Sequence, residues 1–406
     1  MSPRQHMGRR ELLLGGAALA GWSMLPGRAR AWASPRLPES ERSLLIVQLA
    51  GGNDGLNTVV PYGDDAYHAA RPTLAMKAEE VLPIDDYRGL HPMLVRLRAE
   101  YEQGRLAVIE GAGYPEPTKS HFRSFDVWHA ADLRGRGISS GWIGRLCDAR
   151  FADRKDPSLV VHVGNDVPYS LHSSTHPPTS FVLSRSYRWA GEGRELQAYE
   201  DAASGADPEA ASAGSKLELL RRALADGQSS SSAIRRATAS YQTPVDYPGG
   251  PFAGALREVA GILNGDVGSR VFSVELDGFD THADEEQRHR ILMRTLDGSL
   301  GAFLEDVRRT PAGRNLVVMV FSEFGRRVVE NGARGTDHGT AAPMFVAGAG
   351  VKGGLFGKHP SLTELEDDEL RYTTDFRSVY GTLISEWFGA DAKQVLGAAW
   401  PTLPFV

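Results

Sequence analysis

Val271-Phe-Ser-Val-Glu-Leu-Asp-Gly-Phe-Asp-Thr-His282 runs from a compact apolar segment into four polar groups, Glu275, Asp277, Asp280 and His282, within eight residues. An apolar run of this length that ends at a glycine turn reads as a strand buried on both faces of a parallel sheet. Groups just past such a strand gather at the sheet's carboxyl edge, where side chains distant in sequence converge. Acidic residues favoured by a helix dipole account for Asp284 and Glu285 better than for His282. Asp280 and His282 are therefore candidate ligands of one hard cation, presented from alternating positions of an extended segment.

The same apolar-then-polar arrangement recurs along the chain. Ser43 to Leu49 leads into Gly51-Gly-Asn-Asp54, and Leu316 to Phe321 leads into Ser322-Glu-Phe-Gly-Arg326. Further strand-like runs lie at Arg105 to Ile109, Leu159 to Val163 and Pro343 to Ala347, the last preceded by Asp337-His-Gly339. Helical stripes fall between most of them, at His289 to Val307 and again at Phe376 to Phe388. Alternating strands and helices predict an α/β protein whose largely parallel sheet is covered on both faces.

Each cluster supports two readings. Asp54 is a candidate bridging metal ligand, or else part of an Asx turn. Glu323 could bind metal while Arg326 holds an oxyanion, or the two form an ion pair of small worth. His338 is a candidate imidazole ligand, its glycine neighbours allowing close backbone approach. Ser120, in Thr118-Lys-Ser-His-Phe122, lies where a helix begins. It is the candidate nucleophile, beside N–H groups that would stabilise a tetrahedral anion, or it simply caps the helix.

Residues 1–33 read as an export signal: Arg9-Arg10, an apolar stretch from Leu12 to Leu25, and Ala31-Trp-Ala33 as a cleavage site. The implied partner is the twin-arginine export machinery, with only transient membrane contact and a periplasmic or extracellular destination. This segment carries five Arg and one Glu, so its removal takes the formal charge from −6 to −10. That balance disfavours nucleic acid. A single cysteine, Cys147, excludes an internal disulfide and a cysteine-rich zinc site, leaving Asp, Glu and His as ligands. Residues 34–406 form the main body, and the stretch 191–247, rich in Ala, Ser and Gly, reads as a helical excursion or lid. Within it Lys216 to Ala225 is helical, whereas Ser229 to Ser232 reads as a solvated loop.

Leu49-Ala-Gly-Gly-Asn-Asp-Gly-Leu-Asn57, Ser120-His-Phe122, Gly141-Trp-Ile-Gly-Arg145, Gly278-Phe-Asp-Thr-His282, Ser322-Glu-Phe-Gly-Arg326 and Asp337-His-Gly339, in this order, resemble domain-of-unknown-function family 1501 of the alkaline-phosphatase-like superfamily. The resemblance extends over nearly all of the chain after the signal. It implies a three-layer α/β/α sandwich, one or two divalent metals (zinc, calcium, manganese or magnesium), and hydrolysis of phosphate or sulfate esters, whether small molecules or polymers. Asp54 would match the first-strand metal aspartate, Ser120 the nucleophile and His338 the late metal histidine. Glu275 and Asp280 match an E-x4-D spacing of the superfamily. Two departures stand out: His282 follows Asp280 by two residues where a D-x3-H spacing is usual, and Glu323-Phe324 replaces an Asp-His pair. Cys147 does not fit a formylglycine sulfatase pattern, because Phe151 occupies the position that needs arginine. The expectation is an exported metal-dependent hydrolase acting on a phosphate-type ester. Its counterpart is a catalytically silent, metal-stabilised binding or assembly protein on the same fold.

Overall fold

A computed structural model describes residues 41–135, 140–188, 191–204 and 216–406. In chain order its main elements are β1 (Ser43–Ala50), α1 (Gly55–Thr58), α2 (Asp65–Ala70), α3 (Val95–Glu102), β2 (Leu106–Gly113), α4 (His121–Ala130), α5 (Trp142–Arg150), β3 (Val160–Val163) and β4 (Thr179–Phe181). There follow α6 (Arg194–Ser204), α7 (Lys216–Ser240), α8 (Pro251–Asn264), β5 (Val271–Asp277), α9 (Glu285–Arg308), β6 (Leu316–Ser322) and β7 (Arg326–Glu330). The chain ends through β8 (Thr336–His338), β9 (Ala342–Gly348), β10 (Gly354–Phe356), β11 (Thr374–Asp375) and α10 (Phe376–Thr382). The proposed signal at 1–33 lies outside the described residues. Among those described, no helix is long and apolar enough to cross a membrane.

The central sheet has the order β10-β2-β9-β6-β1-β5-β3-β4, with β11 beside β2. β1 explains why the sheet is sealed on both sides. Leu44 and Ile46 join one apolar core, with Trp128, Trp142 and Tyr380 from α4, α5 and α10. Leu45, Val47 and Leu49 join the other, with Leu256, Leu296 and Phe303 from α8 and α9. Burying each such side chain is worth about 1.5–3 kcal/mol, so a charge at Val47 would break the layer. The result is the expected α/β/α sandwich.

Every strand pair in this sheet is parallel except those made by β9, which runs antiparallel between β2 and β6. β6 ends at the carboxyl edge, and the β7–β8 hairpin keeps the chain there. β9 then starts from the same edge without a crossover and must run the other way.

The excursion differs from expectation at the serines. Ser229 to Ser232 lies inside α7, not in a loop. The hydroxyls of Ser230 and Ser231 donate to the carbonyls three residues back, Gly227 and Gln228, and so lose their solvent demand within the helix. Ile234, one turn further on, is fully buried in the core shared with α8 and α9 and docks this half of the helix.

Candidate metal centre

In the parallel register Leu49 lies opposite Leu276 on one side and Ser322 on the other, so β1, β5 and β6 end level. The chain then turns at Gly51 and Gly52, with φ of 116° and 77°. A Cβ on Gly51 would lie 2.4 Å from the Asp280 nitrogen, and one on Gly52 would lie 2.4 Å from the Phe324 ring. Only glycine lets these three strand ends close on one another.

Arg326 ties them together. Its buried guanidinium donates to the carbonyls of Gly51, Gly52, Phe279 and Thr336 and to Asp280 Oδ1. The expected oxyanion clamp is thus consumed inside the fold, because a guanidinium beneath three strand ends meets backbone carbonyls before it meets solvent. Its remaining effect on the site is electrostatic. Burial would push the Asp280 carboxyl up, but hydrogen bonds from Arg326 and His338 and the charge of Arg326 bring it down to about 2.

Three imidazoles point their Nε2 atoms toward this carboxylate. His338 Nε2 is 3.0 Å from Asp280 Oδ1, His282 Nε2 is 3.1 Å from the same oxygen, and His121 Nε2 is 3.7 Å from Oδ2. His282 and His338 also face one another, Nε2 to Nε2, at 3.0 Å. One ligand atom each from His121, Asp280 and His338 lies within 4.8 Å of the others, and this is the one such group of three among the described residues. His282 stands at its rim.

Each ring is oriented through its other nitrogen. His338 Nδ1 meets the Lys119 carbonyl at 2.8 Å, His121 Nδ1 meets Glu323 Oε1 at 2.7 Å, and His282 Nδ1 meets Asp337 Oδ1 at 3.2 Å. A carbonyl and two carboxylates can only accept, so each Nδ1 carries a proton, which leaves Nε2 as the nitrogen that faces the Asp280 carboxylate and would ligate an ion. Orientation of histidine from behind by carboxylate or carbonyl is the usual support of a metal ligand. The hydrogen bond to Glu323, against the opposing effect of burial, also raises the His121 pKa above its ordinary 6.5.

The other expected residues have distinct places. Glu323 is buried at the back, its Oε1 also accepting the Gly51 N–H, and it reaches the group only through His121. Its backbone carbonyl takes the Ser124 hydroxyl, which clamps α4 against the end of β6. Ser120 is the exposed N-cap residue of α4 and makes no side-chain cap bond. It stands between Lys119, whose carbonyl orients His338, and His121.

Asp54 is not with them. Past the two glycines it caps α1, and both its oxygens are taken by Arg71, at 2.5 and 2.9 Å. Burial opposes its ionisation, but the Arg71 guanidinium holds its carboxyl well below the usual range. The residue expected as a bridging ligand therefore lies outside the group. Glu275 also lies outside the group, accepting from Gln48 Nε2 at 2.6 Å.

His121 is the residue that sequence reasoning passed over, although it sits in the quoted Ser120-His-Phe122 stretch. It supplies an imidazole that Phe324 does not. Phe324 itself is buried and walls the group, its ring centroid 4.9 Å from His121 and 4.8 Å from His338.

The profile of a family described as protein of unknown function DUF1501 matches residues 135–386. The chain belongs to that family. The matched stretch of this DUF1501 protein includes Asp280, His282, Glu323 and His338, whereas the Leu49–Asn57 and Ser120–Phe122 motifs precede it. No curated protein matches the chain. Solved structures similar to it include a protein in the alkaline phosphatase superfamily from Vibrio parahaemolyticus, at 10% identity over 87% of this chain and 68% of that one, with a TM-score of 0.38. Another is the C-terminal periplasmic domain of EcEptC from Escherichia coli, at 9% identity over 90% of each chain, with a TM-score of 0.38.

Proposed function

We propose that this DUF1501 protein is an exported hydrolase of phosphate-type esters, built around one divalent cation held by His121, Asp280 and His338, with His282 completing the set. The observation that carries the reading is the convergence of three imidazole Nε2 atoms, each oriented from behind, on one ionised carboxylate. Three nitrogens and one oxygen suit zinc better than calcium or magnesium, which prefer oxygen. A cation so placed would polarise an ester oxygen.

The chain's own residues would do the rest. Ser120 offers its hydroxyl from the start of α4, where the N–H groups of the first turn have no helical partner and favour an anion. With Arg326 consumed beneath the strand ends, those N–H groups would serve as the oxyanion donors. Asp280 and His282 keep about half of their side-chain surface, 50% and 44%, so a substrate can reach the group from solvent. Export through the twin-arginine route is part of the proposal and rests on residues 1–33 alone.

A specific observation favours the second reading, a metal-stabilised binding or assembly protein. Arg326, the arginine expected to hold a phosphoryl oxygen, faces inward and is spent on backbone carbonyls. One experiment separates the two. Zinc content is measured on the purified chain, and turnover of aryl phosphate mono- and diesters and aryl sulfate is followed for the wild type, Ser120→Ala and His338→Ala. Hydrolysis abolished by both substitutions supports the enzyme, with zinc lost only in His338→Ala. Stoichiometric zinc without turnover of any ester supports binding, and a wild type with no zinc affinity overturns both.

A further inference from the structure

Behind the Gly51-Gly52 turn lies a second polar cluster that ester cleavage does not use. Asp54, Arg71, Glu285 and Thr336 are all fully buried there. Arg71 spends its donors on both Asp54 oxygens, on Asn57 Oδ1 and on the carbonyls of Arg327 and Val328. None goes to Glu285. Glu285 Oε2 accepts the Thr336 hydroxyl at 2.5 Å, while Oε1 is buried and meets no donor among the described residues. The same carboxyl lies in hydrogen-bond contact with Asp54. Two carboxyl groups in contact within a closed space, sharing a single guanidinium, cannot both be ionised. A hydrogen must lie between them.

We infer that Glu285 is a neutral carboxylic acid that donates its proton to Asp54, and that this contact is a positioning element for the metal centre. The link runs through Thr336. Its hydroxyl is bound by Glu285, its N–H by the Thr281 carbonyl and its own carbonyl by Arg326. This residue therefore sets the backbone two positions before His338. The other titratable groups around the pair do not replace the missing charge. Burial lowers His289 to about 4 and keeps it neutral, and burial pushes the Tyr67 hydroxyl far up. Burial, and next the charge of Asp54, push Glu285 itself up to about 9.

The positioning half rests on the metal reading, and the proton does not. The folded chain keeps a proton that the unfolded chain releases above the ordinary value of 4.5, so between 4.5 and about 9 the unfolding constant should rise with pH. One proton released on unfolding makes that rise about tenfold per pH unit. Glu285→Gln presents an N–H to Asp54 and an oxygen to Thr336, mimics the protonated form, and should lack this slope. Its infrared spectrum should also lack the carboxylic-acid carbonyl band of the wild type at neutral pH. Thr336→Val cuts the link to the strand and leaves both carboxyl groups of the pair in the chain. It should weaken zinc binding by about tenfold, while Glu285→Gln keeps the wild-type affinity.

Parallel pH profiles of wild type and Glu285→Gln, with no infrared band lost, would overturn the protonated acid. Unchanged zinc affinity in a folded Thr336→Val would overturn the positioning role. If the wild type takes up no zinc, the metal reading fails by itself, and the pH and infrared measurements still decide the proton.

Discussion

Asp280 and Asp54 stand on either side of one glycine turn, each contacted by a buried arginine, yet they are left with different capacities. Asp54 has both oxygens taken by Arg71 and no exposed surface. Asp280 receives Arg326 on Oδ1, leaves Oδ2 toward His121 and keeps half its side chain in solvent. Around Asp54 the neighbours are donors and a second carboxyl, and around Asp280 they are imidazoles with Nε2 facing inward. Cation binding therefore depends on which oxygens remain unclaimed and which nitrogens face them, more than on the presence of an acid at a strand end.

The largest effect should come from exposing that contrast on the Asp54 side. Arg71→Met leaves a buried carboxylate without its cation, which costs about 3–5 kcal/mol by denaturant unfolding. Adding Asp54→Asn should recover part of that loss. A small change in the single mutant would mean that Asp54 is not held as an ion, and the difference between the two acids would disappear.

On the Asp280 side the matching test concerns zinc rather than stability. Glu323→Ala removes the support behind His121 and should lower zinc affinity by about 10–100-fold in a calorimetric titration. Glu323→Gln keeps an acceptor for the Gly51 N–H and for His121, so it should lose less. Equal zinc affinity in wild type and Glu323→Ala would take His121 out of the ligand set.

pH gives a smaller and signed effect. The folded-state pKa of His121 lies above 6.5 because of Glu323. In the metal-free protein its contribution to stability is fully present below 6.5 and is lost as pH rises through the folded value. Zinc reverses the sense, because a bound imidazole must give up that proton, so affinity should climb through the same window. His121→Gln should flatten the metal-free profile; if it does not, the ion pair with Glu323 carries no linkage.

Strands were legible because β1, β5 and β6 are sealed on both faces, and continuous apolar runs such as Leu44 to Val47 have no other economical place. Asp280, His282 and His338 were legible as a group for a related reason: each follows or precedes such a run at one sheet edge. Asp54 shared that signal and proved different, because its partner Arg71 arrives from the end of α2 and no pattern around Arg71 announces a buried cation. Arg326 was read as an oxyanion holder or as a partner of Glu323 for the same reason, since burial of an arginine depends on backbone carbonyls that only the closed fold supplies. His121 was hidden by its neighbour: a histidine at a helix start carries no periodic signature, and only the packing of α4 against Glu323 aims it inward. The serines of α7 show the complementary failure, since polar composition cannot reveal hydroxyls that bond back to their own helix.

Asp337→Asn should have the smallest effect, and it tests how far the Asp280 group extends. Asp337 keeps 51% of its side-chain surface and supports His282 at 3.2 Å while also accepting from Asn331. Asparagine retains an oxygen for His282 Nδ1, and solvent screens the lost charge, so zinc affinity should fall by about tenfold or less. A loss as large as that of Glu323→Ala would show that His282 binds as firmly as His121 and His338, making the centre four-coordinate from the protein alone. The proposed ester would then have to displace a protein ligand to reach the ion. A loss within the expected range instead leaves His282 at the rim, where it can yield its place to substrate while Asp54, one turn away, yields nothing.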